Sequence, residues 1–196
     1  MAKVGLSKPY YAKYAAANQV VSYTSGASMG KAVNAQIEPD DNDANIFYAD
    51  NGPAESAQIF SGGTLTLEID RLDSSVVAAL FGITPGSSVT PVGTTLDFAA
   101  DAVIPYVGIG LIGKNIVDNT QQWIAFLLPK VQFKMPSYDL STQGEEVEFS
   151  GNELTATIMR DDTSAGKWLR MGYFSSEADA ETWVKSALSI TAATTE

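Results

Sequence analysis

The chain has no cysteine and no histidine in its 196 residues. Their absence excludes disulfide frameworks, thiol nucleophiles, soft-metal sites and every acid–base mechanism that turns on an imidazole. A cysteine-free chain also fits synthesis in a reducing cytosol. Cations are scarce: 12 Lys and Arg stand against 23 Asp and Glu, for a net charge of −11. Stable nucleic-acid binding needs clustered cations facing phosphate, and no such cluster occurs. The longest apolar run, Ala102–Ile112, is too short to span a bilayer and is interrupted by Pro105. Met1–Gln19 lacks the continuous apolar core of a signal peptide. There is no Asn-x-Ser/Thr acceptor and no repeat of fixed period. The expectation is a soluble intracellular protein without a membrane partner, built as one domain over residues 1–196 with a sizeable core.

What is present is alternation. From Thr64, Leu65, Leu67 and Ile69 fall on one face and Thr64, Thr66, Glu68 and Asp70 on the other, the period of an antiparallel strand with one wet face. Asp73 is placed to cap a short helix over 74–81, and Gly82 to stop it. Val20–Tyr23 and Lys31–Glu38 read as strands around a Ser/Gly turn, and Met1–Ala17, aromatic and interrupted by Pro9, as an N-terminal arm. After the Gly/Pro-rich link Thr84–Thr95, Val103–Ile112 and Gln121–Lys134 form an expected hairpin turning at Gly113–Asn119. The centre of its second strand is apolar on both faces, which suits burial between a core and another subunit; Pro129 implies an edge or a bulge. Glu145–Phe149, Glu153–Met159 and Lys167–Phe174 follow as strands. Ser176 with Asp179 opens a second helix, 177–189, whose apolar face carries Ala180, Trp183, Val184, Ala187 and Leu188. Residues 175–196 thus hold this helix and a frayed tail. The fold class is mostly β, an antiparallel sandwich or barrel with two short helices.

Several patterns imitate chemistry. Gly108-Ile-Gly-Leu-Ile-Gly113 matches a dinucleotide fingerprint, but its glycines lie inside an alternating strand and Phe133 stands where the ribose-binding acid belongs. Close backbone packing is the better reading. Asp41-x-Asp43-x-Asn45 begins like a calcium loop, yet Ile46 and Gly52 replace the required Gly and Glu. Ser28-x-x-Lys31 lacks the companion segments of a serine acylase. Glu145, Glu146 and Glu148 split between the two faces of one strand, unlike the opposed carboxylates of a glycosidase. No catalytic constellation, cofactor site or metal site emerges. Trp123, Trp168 and Trp183 would serve a lectin- or adhesin-like binding module, the alternative class, but each falls within a periodic element.

The stretch Asn45–Gly82 is unusual: connections in compact domains are short, and Glu38–Ser61 is long and carries the apolar triplet Ile46, Phe47, Tyr48. Its segments FYADNGPAE, FSGGTLTLEIDRL and VVAALFG, followed by IPYVGIGLIG, WIAFLLPKVQFKMPSYDLSTQGEEVEF and ELTATIMRD, resemble the major tail tube proteins of long-tailed (siphovirus-type) bacteriophages and related prophages. The likeness runs from about Met29 to Phe174. It implies a structural virion protein, not an enzyme, with a single tail-tube domain. Copies would close into hexameric rings stacked as a tail tube, the conduit for DNA delivery, made in the host cytoplasm and residing in the virion tail. Tape measure, tail terminator and tail-tip proteins would be its partners, and genomic DNA would pass without specific binding. The loop 38–61 would bridge rings through Ile46, Phe47, Tyr48, Asp50 and Asn51, with Gly52 shaping its tip. Glu68, Asp70, Glu146 and Glu148 would face the lumen. Tubes of contractile tails and of type VI secretion share the general fold and are the neighbouring possibility.

Overall fold

The computed structural model describes residues 2–40, 45–49, 52–57, 60–86, 93, 95–117, 120–136 and 152–190. Ten strands are defined: β1 (Ala2–Ala17), β2 (Val20–Ser28), β3 (Ala32–Pro39), β4 (Asn45–Ala49), β5 (Gly52–Ala57), β6 (Gly63–Ile69), β7 (Val107–Val117), β8 (Thr120–Phe133), β9 (Asn152–Met159) and β10 (Arg170–Phe174). Two helices accompany them, α1 (Ser74–Phe81) and α2 (Glu177–Ala187). Eight strands form one sheet in the order β2-β1-β7-β8-β9-β6-β3, with β10 beside β8, and β4 and β5 form a separate pair. Every pairing is antiparallel. The protein is mostly β, as its alternation implies.

Strand β8 organises the sheet. One edge runs along β7, while the other is shared: Trp123–Leu127 pair with β10, and Lys130–Phe133 with β9. Pro129 lies between these two stretches, where the register with β7 skips from Ile109↔Leu128 to Val107↔Val131. A residue without an N–H is tolerated where the ladder is interrupted, so the proline marks a bulge. The sheet curls until β3 approaches β1. Its inner side holds the larger core: Leu65, Leu67 and Ile69 of β6 meet Leu154 and Ile158 of β9, Leu128 and Phe133 of β8, and Ile109 and Leu111 of β7. Helix α1 closes this core with Val76, Val77, Leu80 and Phe81, the last edge-to-face with Phe133 at 6.5 Å between ring centroids.

A second core lies on the other side of the same strands. There Tyr10, Ala12, Ile112, Ala125 and Leu127 pack against Ala180, Val184 and Leu188 from α2 and its C-terminal cap. The two apolar faces of β8 are therefore both used within one chain. The face expected to meet another subunit is covered by α2 instead, because the helix buries its own apolar stripe there.

Other expectations are corrected by particular residues. The segment read as an N-terminal arm is strand β1, paired on both edges and burying Tyr10, Tyr11 and Ala12. Pro9 fits because it sits in a register break between Ser7 and Tyr10, beside Lys8 at φ 47°. The β7–β8 connection is tighter than Gly113–Asn119, since β7 continues to Val117, which pairs with Thr120. Strands β2 and β3 do not pair across their Ser/Gly turn but stand at the two ends of the sheet. Asp73 occupies the N-cap of α1 without a side-chain capping bond; its carboxylate meets Arg71 Nε at 3.5 Å. Gly82 ends α1 in the left-handed conformation (φ 69°), its N–H bonded to the carbonyl of Ala78. Ser176 caps α2 as expected, accepting from the N–H of Asp179 at 3.1 Å. The strand expected at Glu145–Phe149 lies outside the described residues.

Candidate functional site

The residues expected to bridge copies divide by position. Ile46, Phe47 and Tyr48 lie in β4, opposite Ser56, Glu55 and Pro53 of β5, with a register shift between Phe47 and Tyr48. What reads as a loop is therefore a two-stranded hairpin, entered from β3, which runs on to Pro39. Asp50 and Asn51, between the two strands, lie outside the described residues. Strands β4 and β5 pair with each other and with no other described strand.

Of the four acids expected to line a lumen, Glu146 and Glu148 lie outside the described residues. Glu68 projects from the half-exposed face of β6, whose alternate residues Leu65, Leu67 and Ile69 are fully buried. Cross-strand partners on this wet face are matched: Thr64 with Thr157, Thr66 with Thr155, and Glu68 with Glu153. Like charges opposite one another disfavour the sheet, and here Glu153 is exposed and Glu68 half-exposed. Glu153 was not singled out by sequence, because only the β6–β9 register brings it beside Glu68. Asp70 does a different job. It follows the end of β6, and its Oδ1 accepts from the N–H groups of Lys31 (3.0 Å) and Arg71 (2.8 Å). The bond from Lys31 is the main reason its carboxyl is held below the usual carboxylate range. It ties the approach to β3 to the turn before α1.

An apolar cleft of about 600 Å³ opens between β3 and β10. Among the described strands each has one partner, β6 and β8 respectively, and no described strand lies on its other edge. Leu6, Val33, Ile37, Leu111, Phe126, Trp168 and Met171 are among its lining residues; Lys114 is the charged residue among the described ones that border it, and its ammonium lies over Trp123. Val33 is 56% exposed and Met171 44%. The sequence did not reveal the cleft, because it depends on the curl that brings β3 towards β1.

Polar clusters elsewhere are engaged in holding the fold. Glu181 of α2 accepts from Lys185 Nζ, Lys8 Nζ and Tyr10 Oη, while Glu177 accepts from Ser7 Oγ. Lys185 first, then Lys8 and Tyr10, lower the Glu181 carboxyl to about 2. Lys130, beside the bulge, contacts Asp162 Oδ2 at 2.8 Å and lies over the rings of Tyr106 (4.6 Å) and Tyr14 (5.3 Å). The Lys130 ammonium, followed by the Tyr14 hydroxyl, holds Asp162 below its ordinary range. Burial, then the bond to Asp162, pushes Tyr14 up to about 12. Asp161 closes its own loop by accepting from the N–H groups of Thr163 and Lys167. These carboxylates are already committed to partners and do not form a free acid–base pair.

The glycines of the nucleotide-like motif also have a structural use. A Cβ at Gly110 would strike Val184, and one at Gly108 would lie 2.5 Å from Tyr23 and 2.8 Å from Leu188. They floor the seat of α2. No group of residues able to hold a metal ion occurs among the described residues, and no described helix is long and apolar enough to cross a membrane. The tryptophans have partners: Trp168 stacks on Phe60 at 4.4 Å, Trp183 lies against Phe174, and Lys114 lies over Trp123. Comparison with models of protein families and with curated proteins finds no match for this chain.

Proposed function

We propose that the protein is a structural subunit, not an enzyme, which closes into hexameric rings that stack as a phage-type tail tube for DNA passage. Its synthesis belongs in the host cytoplasm and its place of action in the virion tail, with tape measure, terminator and tail-tip proteins as partners. The observation that carries this reading is the pair of long end strands. β2 has nine residues and β3 eight, each with a single partner among the described strands, and Val20 and Val33 on them are 67% and 56% exposed. Soluble proteins protect edges of this length; copies that complete one another's sheets remove them. The resemblance of the Met29–Phe174 segments points to the same use. The Thr/Glu face of β6 and β9, in a chain of net charge −11, suits a wall that DNA slides past without sticking. Tubes of contractile tails or of type VI secretion would use the same surfaces.

Negative-stain microscopy of the purified protein tests the reading, with rings or tubes expected. Replacing Phe47→Ala and Tyr48→Ala together leaves the circular dichroism spectrum and melting temperature unchanged and abolishes tube growth. A monodisperse monomer that binds glycans overturns the proposal.

A further inference from the structure

We infer that β1 has two registers on β7, and that Glu177 and Glu181 of α2 select the one that turns Leu6 into the β3/β10 cleft. The strand carries the marks of a held conformation. Lys8 has φ 47°, a left-handed backbone that a non-glycine residue seldom adopts, and it precedes Pro9, which favours extended backbone in its neighbour. Outliers of this kind persist only where the surroundings impose them, and they gather at clamps and switches.

The groups that impose it lie on α2. Ser7 Oγ donates to Glu177 Oε1 at 3.0 Å and Tyr10 Oη to Glu181 Oε1 at 2.7 Å. Lys8 Nζ donates to Glu181 Oε2 and lies 3.6 Å from Glu177 Oε1. In a regular strand residues 8 and 10 share a face and residue 7 takes the other. All three reach the same helix only because Lys8 and Pro9 together stand opposite Leu111 of β7, one residue more than the ladder needs. Ser7 then pairs with Ile112, which belongs to the core under α2, and Leu6 pairs with Gly113, which lines the cleft. Without the bulge each residue moves by one place. Ser7 lies opposite Gly113 and enters the cleft, while Leu6 lies opposite Lys114 on the α2 side. Pro9 has no N–H, so the break sacrifices no donor there. Gly5, at φ 105°, lets the chain turn over at the other end of the Leu6–Ser7 pair. Two acids on one face of the sheet thus set the lining of a cleft on the other. The switch belongs to a single chain and does not rest on the tube reading.

Gly113 serves as the reporter position, because a Cβ there meets nothing nearer than 3.7 Å and the chain has no cysteine. Leu6→Cys/Gly113→Cys reports the observed register and Ser7→Cys/Gly113→Cys the other, since a disulfide needs Cβ atoms about 3.5–4.5 Å apart. Each variant is oxidised with glutathione disulfide, and closure is followed by mass spectrometry after alkylation. In the otherwise unchanged chain the 6–113 link is expected to close about tenfold faster than the 7–113 link. Adding Glu177→Gln and Glu181→Gln should bring the two rates together. Adding Lys8→Gly as well should restore the preference, because glycine holds φ 47° without help from α2. Glu181→Gln alone replaces the double change if that variant folds poorly. A rate ratio that the carboxylate variants leave unchanged overturns the inference. Equal closure of both links in the otherwise unchanged chain does the same. So does loss of both links together in the carboxylate variants, since the strand has then detached instead of slipping.

Discussion

At Gly110 the missing side chain decides how closely a helix can approach a sheet. An ideal Cβ there would lie 2.2 Å from Cγ1 of Val184 in α2, whereas at Gly113, three residues along the same strand, the nearest atom is 3.7 Å away. Gly110→Ala is therefore expected to destabilise the protein by about 1–3 kcal/mol through overpacking. Gly113→Ala should change stability by less than about 1 kcal/mol. Urea midpoints of the two variants check the contrast, and equal effects would show that α2 does not rest on this floor. The sequence assigns the motif's glycines to close packing, because they sit in an alternating strand, and this holds at Gly108 and Gly110 but not at Gly113. It does not name what approaches them, since Val184 is distant in the chain and reaches β7 only through tertiary structure.

Helix α2 illustrates what an element's own pattern conveys. Its Ser176 cap and its stripe of Ala180, Trp183, Val184, Ala187 and Leu188 are legible from spacing; Ala180, Val184 and Leu188 are fully buried, Trp183 and Ala187 half-buried. Its docking site is not legible, because nothing local states that β1, β7 and β8 need a cover. The polar contacts that hold it converge on Glu181, whose carboxyl lies at about 2 against 4.5 for the free group. A depressed carboxylate pKa contributes stability that is present above about 4.5 and is lost as pH falls through about 2. Glu181→Gln should cost roughly 1–3 kcal/mol near neutral pH. Its stability should also fall less steeply than the wild type's in acid, so the two curves converge; Asp70 and Asp162, also depressed, leave the variant a residual slope. Denaturation followed between neutral pH and pH 2 tests this, and parallel curves would refute it. Strand β1 shows the opposite case. Tyr10 faces the α2 core and the adjacent Tyr11 the larger one. Burial on both faces erases the period-two signal, so the segment reads as an arm.

For the whole molecule, charge and topology would act together on the proposed assembly. A net charge of −11 makes copies repel at long range, whereas the strand edges act only at contact. The screening length shrinks from about 30 Å at 0.01 M salt to about 8 Å at 0.15 M. Assembly followed by light scattering should therefore be faster at the higher ionic strength. Slower assembly in salt would mean that ion pairs, not apolar contacts, drive it. Both helices and the other strands are visible in the sequence, but β1, β4 and β5 are not; nor is the order β2-β1-β7-β8-β9-β6-β3, because it joins segments that alternation cannot connect. That order also sets a schedule for synthesis. Tyr10 pairs with Gly110, a hundred residues downstream, so β1 and β2 emerge long before the strand that places them in the sheet. At about 5–20 residues per second the wait is roughly 5–20 s. Throughout it, an aromatic hairpin with an open edge is held next to the ribosome. Crowded synthesis of many copies would thus make nascent chains the molecules most exposed to mispairing, and holding them apart would be a task for the cell's chaperones.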